Sequence, residues 1–296
     1  MALRALYDLP APAKVNLFLH VVGRRADGYH LLQSVFVPID WADTLHIERR
    51  DDGRLARHDL SQPLPADDLT LRAARALQAA TGCTLGADIS IDKRVPAGAG
   101  LGGGSSDAAT TLLALNRLWG CDLPREKLLL LAVTLGADVP FFVLGRPAFV
   151  EGIGEQLTPI AVPALSLAVV KPAASLPTAS IFGHPALVRD TPAATIAGFL
   201  ADAAKSGWET TMWQGGRNDL QPPAEDRCPA VAQAAEWLER HFGNSRMTGS
   251  GSAVFARNGA ADSPRLATWP QESLPAGWVG RMCRSLVQTP LADWAG

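Results

Sequence analysis

Several segments of the chain alternate apolar and polar side chains, the pattern that predicts a β-strand. The first spans residues 11–22, where valine and leucine positions alternate with a second set that includes Lys14 and Asn16. Because side chains alternate across a strand, Lys14 and Asn16 share one face and point to the same place. The same pattern predicts strands at residues 31–39, 87–92 and 165–170, and a strand that ends at Phe255.

Other segments repeat their apolar positions with the period of an α-helix. The clearest is residues 69–81, with Asp67 or Asp68 as its N-terminal cap and Gly82 as its terminator. Further helices are predicted at residues 125–134, 196–204 and 229–242. Residues 51–67 are a predicted surface loop, and residues 258–277 a predicted loop with one short helix at most. A fresh strand pattern after Pro163 predicts two domains, residues 1–160 and 161–296.

Composition narrows the class of protein. A formal net charge of −2 on 296 residues argues against a nucleic-acid surface, so an anionic ligand must be held by a local arrangement. The four cysteines lie far apart without metal-ligand or disulfide spacing, which fits a reducing cytosol. No apolar run approaches the roughly 18 residues of a membrane span, and no cleavable signal is evident. We expect a cytoplasmic protein without a membrane or nucleic-acid partner; the sequence does not indicate its oligomeric state.

The most distinctive stretch is residues 96–109, which reads PAGAGLGGGSSDAA and has glycine at five of the seven positions 98–104. It follows a predicted strand and precedes a predicted helix that opens with Ser105, Ser106 and Asp107. Glycine backbone exposes amide N–H groups, and a helix N-terminus adds about half a positive charge. The stretch therefore predicts a phosphate-binding loop, with both serines available to a phosphate or to its magnesium ion.

Three other kinds of loop share some of these features. A dinucleotide-binding loop needs an acidic residue at the end of a second strand about twenty residues later, whereas here Asp122 follows the helix terminator Gly120. A Walker loop needs a lysine at the helix start, and the sequence has neither lysine nor arginine between Arg94 and Arg117. A purely structural glycine turn remains an alternative, although connecting loops seldom have so few side chains.

A lysine and a carboxylate are candidates for the chemistry of phosphoryl transfer. Asp138 lies between the helix terminator Gly136 and an apolar run, where a carboxylate is partly desolvated unless it has a cationic partner. Taken singly, Lys14 fits a solvated strand face and Asp138 fits a turn, so their pairing is a hypothesis. Tyr29 and His30 follow an Asp-Gly turn. Together they either stack on and hydrogen-bond to a planar ligand, or serve the fold alone as a packed tyrosine and a capping histidine.

Five segments together resemble, in chain order, the signature of the GHMP small-molecule kinases: residues 12–17, 25–30, 96–109, 135–140 and 248–252. The resemblance covers most of residues 10–256 and is most specific in the first half. It implies an α+β fold of two domains, the first like domain 2 of ribosomal protein S5 and the second ferredoxin-like. The triple glycine and the Gly-Tyr-His turn resemble most closely those members whose acceptor is a cytidine diphosphate-linked methylerythritol.

The resemblance also implies roles for individual residues. Lys14 and Asp138 match the catalytic pair of the family. The ATP loop corresponds to Pro96, Ala97, Gly98, Ala99, Gly100, Leu101, Gly102, Gly103, Gly104, Ser105 and Ser106. The acceptor substrate corresponds to Asn16, Tyr29, His30, Thr178, Phe182, Thr248, Gly249 and Ser250. Asp68 stands where the family often has asparagine.

The implied reaction transfers the γ-phosphoryl group of ATP to the 2-hydroxyl of the methylerythritol unit, in the non-mevalonate route to isoprenoid precursors. Mg²⁺ is expected to arrive with ATP, and no dedicated metal site is predicted. Two alternatives stay open: a GHMP kinase for a smaller alcohol such as homoserine or mevalonate, and a nucleotide-binding regulator without chemistry. The rings of Tyr29 and Phe182 argue against the first, and the retained Lys14 and Asp138 argue against the second.

Overall fold

Two β-sheets form the framework of the protein, and a computed structural model describes residues 3–295 of it. The first sheet has six strands: β1 (Ala5–Arg24), β2 (His30–Arg50), β3 (Leu55–Asp59), β4 (Gly86–Asp92), β5 (Ala148–Glu151) and β6 (Gln156–Pro159). Their order is β3-β4-β2-β5-β6, with β1 paired along β2. All of these pairs are antiparallel except β3 with β4.

Four helices cover one face of the first sheet. They are α1 (Leu69–Thr81), α2 (Gly103–Leu118), α3 (Arg125–Leu135) and α4 (Val139–Leu144). Asp68 caps α1 by accepting a hydrogen bond from Leu71 N, and Gly82 ends the helix with a φ of 66°. The predicted helix over residues 69–81 is confirmed, whereas α2 begins two residues before the predicted Ser105 because Gly102 takes the N-cap position.

The second sheet and its helices follow in the chain. The strands are β7 (Leu165–Lys171), β8 (Arg246–Met247), β9 (Val254–Ala260) and β10 (Val279–Arg284), antiparallel in the order β10-β7-β9-β8. The helices are α5 (Thr178–Phe182), α6 (Ile196–Glu209), α7 (Gln221–Arg227) and α8 (Pro229–Phe242), with a π-helical turn at Thr210–Gln214. The predicted helix over residues 229–242 is confirmed.

The core is arranged in layers. The face of the first sheet away from its helices packs on the second sheet, where Val15 and Val37 share a cluster with Leu167 and Phe255. The opposite face of the second sheet packs on α7 and α8, where Trp237 is buried. The order is therefore helices, sheet, sheet, helices. This is the predicted two-domain α+β architecture.

The second sheet and the polar segments depart most from the predicted elements. The predicted loop over residues 51–67 contains β3, and the strand predicted to end at Phe255 instead begins at Val254. Strand β10 lies beyond the predicted loop over residues 258–277, which contains no helix in the described part of the chain. Both β3 and β10 are edge strands, and their exposed positions break the apolar alternation that marks a central strand.

The C-terminal residues return to the first layer. A 3-10 turn at Ala292–Trp294 follows Leu291, which packs with the helices of the first sheet. The Arg125 guanidinium donates to the carbonyl of Ala295 at 2.6 Å. The two sheets divide the chain between Pro159 and Leu165, and the boundary between residues 160 and 161 stays a prediction. Within residues 3–295, no helix is long and apolar enough to cross a membrane.

Candidate active site

Three cavities adjoin one another around residues 96–106, the glycine loop. The central cavity, of about 370 Å³, is lined by Lys14, Asn16 and Asp138 among others. The glycine-loop cavity, of about 440 Å³, shares Gly98, Gly100, Gly102 and Ser105 with the central one. The ring cavity, of about 680 Å³, shares Leu32, Ala137, Ile153, Thr178 and Phe182 with it. The central cavity thus lies between the other two.

The polar face of β1, which carries Lys14 and Asn16, lines this central cavity and is buried. Lys14 is 3% exposed and Asn16 is fully buried, which excludes a solvated strand face. Lys14 Nζ donates to Asn16 Oδ1 at 2.6 Å and lies 3.6 Å from Asp138 Oδ2. Burial lowers the pKa of the Lys14 ammonium below its ordinary value, and the Asp138 carboxylate counteracts that shift.

Asp138 owes its position to the start of α4. It is the N-cap residue of this short helix, but its side chain makes no capping hydrogen bond, and it is one-third exposed. The carboxylate is therefore turned toward Lys14 and the cavity rather than toward the helix. The structure thus brings together the lysine and the carboxylate whose pairing the sequence could only suggest.

Asn16 joins β1 to the 248–252 loop, which connects β8 and β9. Its backbone N–H donates to Thr248 Oγ1 at 3.0 Å, and the same hydroxyl donates to Asn16 Oδ1 at 3.1 Å. Gly249 N also donates to Asn16 Oδ1, at 2.9 Å. Thr248 is fully buried and does not line the central cavity, whereas Gly249 and Ser250 do. Thr248 therefore holds Asn16 in position by hydrogen bonds, and its side chain is not exposed to a ligand in the central cavity.

The glycine loop is held against both neighbours by backbone hydrogen bonds. Lys14 N donates to Leu101 O at 2.9 Å, and Ala253 N donates to Ala99 O at 3.1 Å. Gly100 has a φ of 72°, and a Cβ atom placed there would lie 2.2 Å from Thr248 O. Only glycine permits this close approach of the glycine loop to the 248–252 loop.

The first turn of α2 lies in the wall of the glycine-loop cavity. The first backbone bond of the helix joins Ser106 N to Gly102 O at 2.9 Å, so the N–H groups of residues 103–105 have no partner within the helix. All residues of the loop from 96 to 105 line the cavity, opposite Asp68, Leu69 and Lys93. Unpaired amides at a helix N-terminus are a ready anion site.

A buried charge cluster anchors the start of the glycine loop. Lys93 Nζ donates to Asp107 Oδ2 at 2.6 Å and to Asp43 Oδ2. Asp43 Oδ1 accepts from the backbone N–H groups of Arg94 and Val95, at 2.6 and 2.7 Å. Burial raises the pKa of Asp107 to about 7 even though Lys93 lowers it, since one lysine cannot neutralise two buried carboxylates.

Ser106 has a buried hydroxyl that is not used in the described structure. Its Oγ has no hydrogen-bond partner among residues 3–295, and neither has Asp107 Oδ1. Buried polar atoms are nearly always paired, so both atoms are unusual. Asp107 lines the glycine-loop cavity, whereas Ser106, predicted to belong to the ATP loop, lines neither that cavity nor the central one. In the same described range, no group of three or more His, Cys, Asp or Glu side chains is arranged to hold a metal ion.

The ring cavity is lined by two of the predicted aromatic residues and an imidazole. The His30 ring stacks on Phe182 with centroids 5.0 Å apart and planes at 28°, and Tyr29 is 60% exposed. Phe182 ends the short helix α5 and Thr178 begins it. Thr178 Oγ1 lies 2.8 Å from Ser250 Oγ, so α5 links the ring cavity to the 248–252 loop.

Sequence reasoning missed several residues that hold this site together. Asp43 and Lys93 anchor the glycine loop, Arg189 contacts His30, and Asn218 Nδ2 donates to the carbonyls of Met247 and Gly249. The sequence did contain a signal for Lys93, because Lys93 and Arg94 form a charged pair directly before a glycine loop that has few side chains. Asp43, Arg189 and Asn218 reach the site from distant parts of the chain and carry no local motif.

Comparison with known proteins agrees with this geometry. Residues 68–146 match the model of the GHMP kinases N terminal domain, and residues 200–258 match that of the GHMP kinases C terminal region. The chain is 63% identical, over the full length of both proteins, to a 4-diphosphocytidyl-2-C-methyl-D-erythritol kinase of Methylibium petroleiphilum. It is 57% identical to the kinase of the same name from Verminephrobacter eiseniae, with 99% of each chain covered.

A solved structure supports the same assignment. The crystal structure of a 4-(cytidine 5'-diphospho)-2C-methyl-D-erythritol kinase superposes with a TM-score of 0.71 at 38% identity, covering 86% of this chain and 90% of the other. The predicted resemblance is therefore confirmed. The chain belongs to the GHMP kinase family, and it is a small-molecule kinase that takes its phosphoryl group from ATP.

Proposed function

We propose that this kinase transfers the γ-phosphoryl group of ATP to the 2-hydroxyl of 4-diphosphocytidyl-2-C-methyl-D-erythritol, giving the 2-phosphate and ADP. The observation that carries the proposal is the order of the three cavities. An amide-lined loop, a lysine-carboxylate pair and a ring-lined pocket follow one another without a gap. This order matches a phosphate donor, a reacting hydroxyl and a nucleobase on the acceptor. The full-length relatives named for this substrate support the same conclusion.

The glycine loop is proposed to hold the phosphates of ATP. Its support is the amides of residues 103–105, which have no partner within α2, and the positive end of the α2 dipole; both favour an anion at the wall shared with the central cavity. Backbone donors of this kind are fixed before the ligand arrives, so they stabilise charge on the transferring group without reorganising.

Lys14 and Asp138 are proposed to act on the transferring group and on the hydroxyl. A bond forms between the acceptor oxygen and the γ-phosphorus, the bond to the leaving oxygen of ADP breaks, and the hydroxyl proton passes to Asp138. Because the transition state is loose, the proton leaves late and Asp138 mainly orients the hydroxyl. Lys14, buried and 3.6 Å from that carboxylate, holds it and offsets charge on the phosphoryl group.

Magnesium is expected with ATP, where it neutralises phosphate charge. A Mg²⁺ ion usually keeps several waters and takes only one or two protein oxygens beside the phosphates. Ser106 fits that role, because its buried Oγ lacks a partner in the described residues.

The ring cavity is proposed to take the cytidine end of the acceptor. A tertiary alcohol is crowded, and binding energy from the remote base can align it for reaction. Tyr29, His30 and Phe182 offer flat surfaces and a polar edge for this purpose. A kinase for a small alcohol would have no use for such a pocket.

The direct test is incubation of the purified protein with ATP, Mg²⁺ and a panel of alcohols, followed by phosphorus NMR. We expect ADP and a new phosphate monoester with the cytidine diphosphate-linked acceptor. Homoserine and mevalonate should give neither. A monoester from a small alcohol, or no monoester at all, would overturn the proposal.

A further inference from the structure

Arg189 contacts two residues that line the ring cavity, His30 and Phe182. Its Nε donates to His30 Nε2 at 3.1 Å, and one terminal nitrogen donates to Phe182 O at 3.0 Å and to His184 O at 2.9 Å. The other terminal nitrogen donates to Leu187 O at 2.9 Å. The guanidinium is thereby fixed by three carbonyls and faces the imidazole with its Nε–H.

This contact determines the protonation of His30. A guanidinium has only donors and keeps its charge in proteins, so the nitrogen that it contacts must be an acceptor. His30 Nε2 therefore carries no proton, and the single proton of the neutral ring sits on Nδ1. No hydrogen bond among residues 3–295 uses Nδ1, and His30 is one of the residues that line the ring cavity.

The surroundings of the imidazole favour the neutral ring as well. Burial lowers the pKa of His30 below its ordinary value, and the charges of Arg189 and Arg24 lower it further. These two guanidinium groups are the charged groups that act on the ring, one from the 183–195 segment and one from the end of β1. Asp27, a carboxylate that lines the same cavity, is paired with Arg25 at 2.8 Å.

We propose that Arg189 is a positioning residue that fixes His30 as a hydrogen-bond donor through Nδ1, and so makes the ring cavity select cytosine over uracil. The inference rests on the proposed function for the identity of the ring cavity. At position 3 of the pairing edge cytosine presents an acceptor and uracil an N3–H donor, whereas O2 is an acceptor in both bases and O4 is a further acceptor in uracil. A fixed Nδ1–H that meets the base at position 3 matches cytosine and opposes uracil.

The mechanism of selection requires the tautomer to be fixed. A free imidazole could move its proton to Nε2 and accept from uracil N3–H, so it would serve both bases. When uracil N3–H faces the Nδ1–H of His30, both donors lose their water and gain no hydrogen bond. This loss corresponds to an affinity about 5- to 150-fold lower than that for cytosine. Removing Arg189 should therefore reduce the preference for cytosine by a factor in that range.

The first measurement uses the wild-type protein. Nitrogen-15 NMR of the imidazole should give His30 Nε2 the shift of an unprotonated nitrogen and Nδ1 that of an N–H between pH 6 and 8. A ring protonated on Nε2, or a mixture of tautomers, would overturn the inference without any variant.

The second measurement compares Arg189→Met, Arg189→Lys and the control Arg217→Met. Arg217 contacts Thr191 Oγ1 and Asp219 in the same region but does not contact His30. Binding of cytidine diphosphate and uridine diphosphate is measured by calorimetry with the glycine-loop cavity saturated by a non-hydrolysable ATP analogue. We expect the cytosine preference to fall about 5- to 150-fold in Arg189→Met, to be largely kept in Arg189→Lys, and to be unchanged in Arg217→Met.

The outcomes separate this inference from the proposed function. If Arg189→Met weakens both ligands equally and His30 keeps one tautomer, Arg189 has only a structural role and the inference is wrong. If the wild type binds cytidine diphosphate selectively but phosphorylates no acceptor, the proposed function is wrong while the inference stands.

Discussion

Replacing Gly100 by alanine drives a methyl group into the contact between the glycine loop and the 248–252 loop. The new Cβ atom would lie 2.2 Å from Thr248 O, 3.1 Å from the Thr248 carbonyl carbon and 3.2 Å from Gly251 N. All three neighbours are backbone atoms, which cannot rotate away as a side chain would. One of the two loops must therefore move.

The cost has two parts, and the chain offers a control for one of them. A φ of 72° at Gly100 imposes a left-handed conformation that costs alanine about 1–2 kcal/mol. Gly82, at the end of α1, has a nearly equal φ of 66°, and a Cβ atom there would have nothing within 4 Å. Gly82→Ala therefore measures the conformational part alone. Overpacking adds about 1–3 kcal/mol at Gly100.

Urea unfolding and steady-state kinetics of the two variants test this reasoning. Gly100→Ala should lower the free energy of unfolding by about 1–3 kcal/mol more than Gly82→Ala. Displacement of the glycine loop from the Lys14–Asp138 pair should also reduce kcat/KM by about 100-fold, as a misplacement near 1 Å does, whereas Gly82→Ala should keep wild-type kinetics. Equal losses of stability together with normal kinetics in Gly100→Ala would refute the described contact between the loops.

Three further predictions concern the anchor, the metal and the rings. Asp43→Ala leaves Lys93 and two backbone N–H groups short of a partner, so urea unfolding should show a loss of about 3–5 kcal/mol; a variant as stable as the wild type would contradict the anchoring role. Ser106→Ala should raise the Mg²⁺ concentration for half-maximal activity by about tenfold without loss of stability, since it removes a buried hydroxyl that has no hydrogen-bond partner among residues 3–295. An unchanged Mg²⁺ titration would remove Ser106 from the metal site. Phe182→Ala and Tyr29→Ala should each raise KM for the cytidine-linked acceptor by the equivalent of about 1–3 kcal/mol of stacking, with KM for ATP unchanged; unaltered acceptor kinetics would rule out the ring cavity as the cytidine site.

Local patterns were sufficient for the parts of the fold that are fixed locally. The alternation in β1 predicted that Lys14 and Asn16 share a face, and the cap at Asp68 and the terminator at Gly82 predicted the ends of α1. The glycine run predicted free amides before a helix. In each case neighbouring residues in the chain determine the result, so the sequence contains the information directly.

Contacts between distant segments could not be predicted in this way. Whether the polar face of β1 is solvated depends on the 248–252 loop, and only the fold brings Thr248 to Asn16. Asp43 and Arg189 lack any local motif, because each acts on a segment far away in the sequence. The edge strand β10 is paired on one side only, which weakens the apolar alternation on which strand prediction depends.

The central claim is that Asp138, held by Lys14 beside the glycine loop, positions the acceptor hydroxyl for transfer. Its most direct test is the single-turnover rate of Asp138→Asn with saturating ATP, Mg²⁺ and the cytidine diphosphate-linked acceptor. We predict a rate about 10² to 10⁴ times lower than that of the wild type, the range for one positioned acid-base group, with the Kd for ATP nearly unchanged. A rate close to that of the wild type would contradict the account.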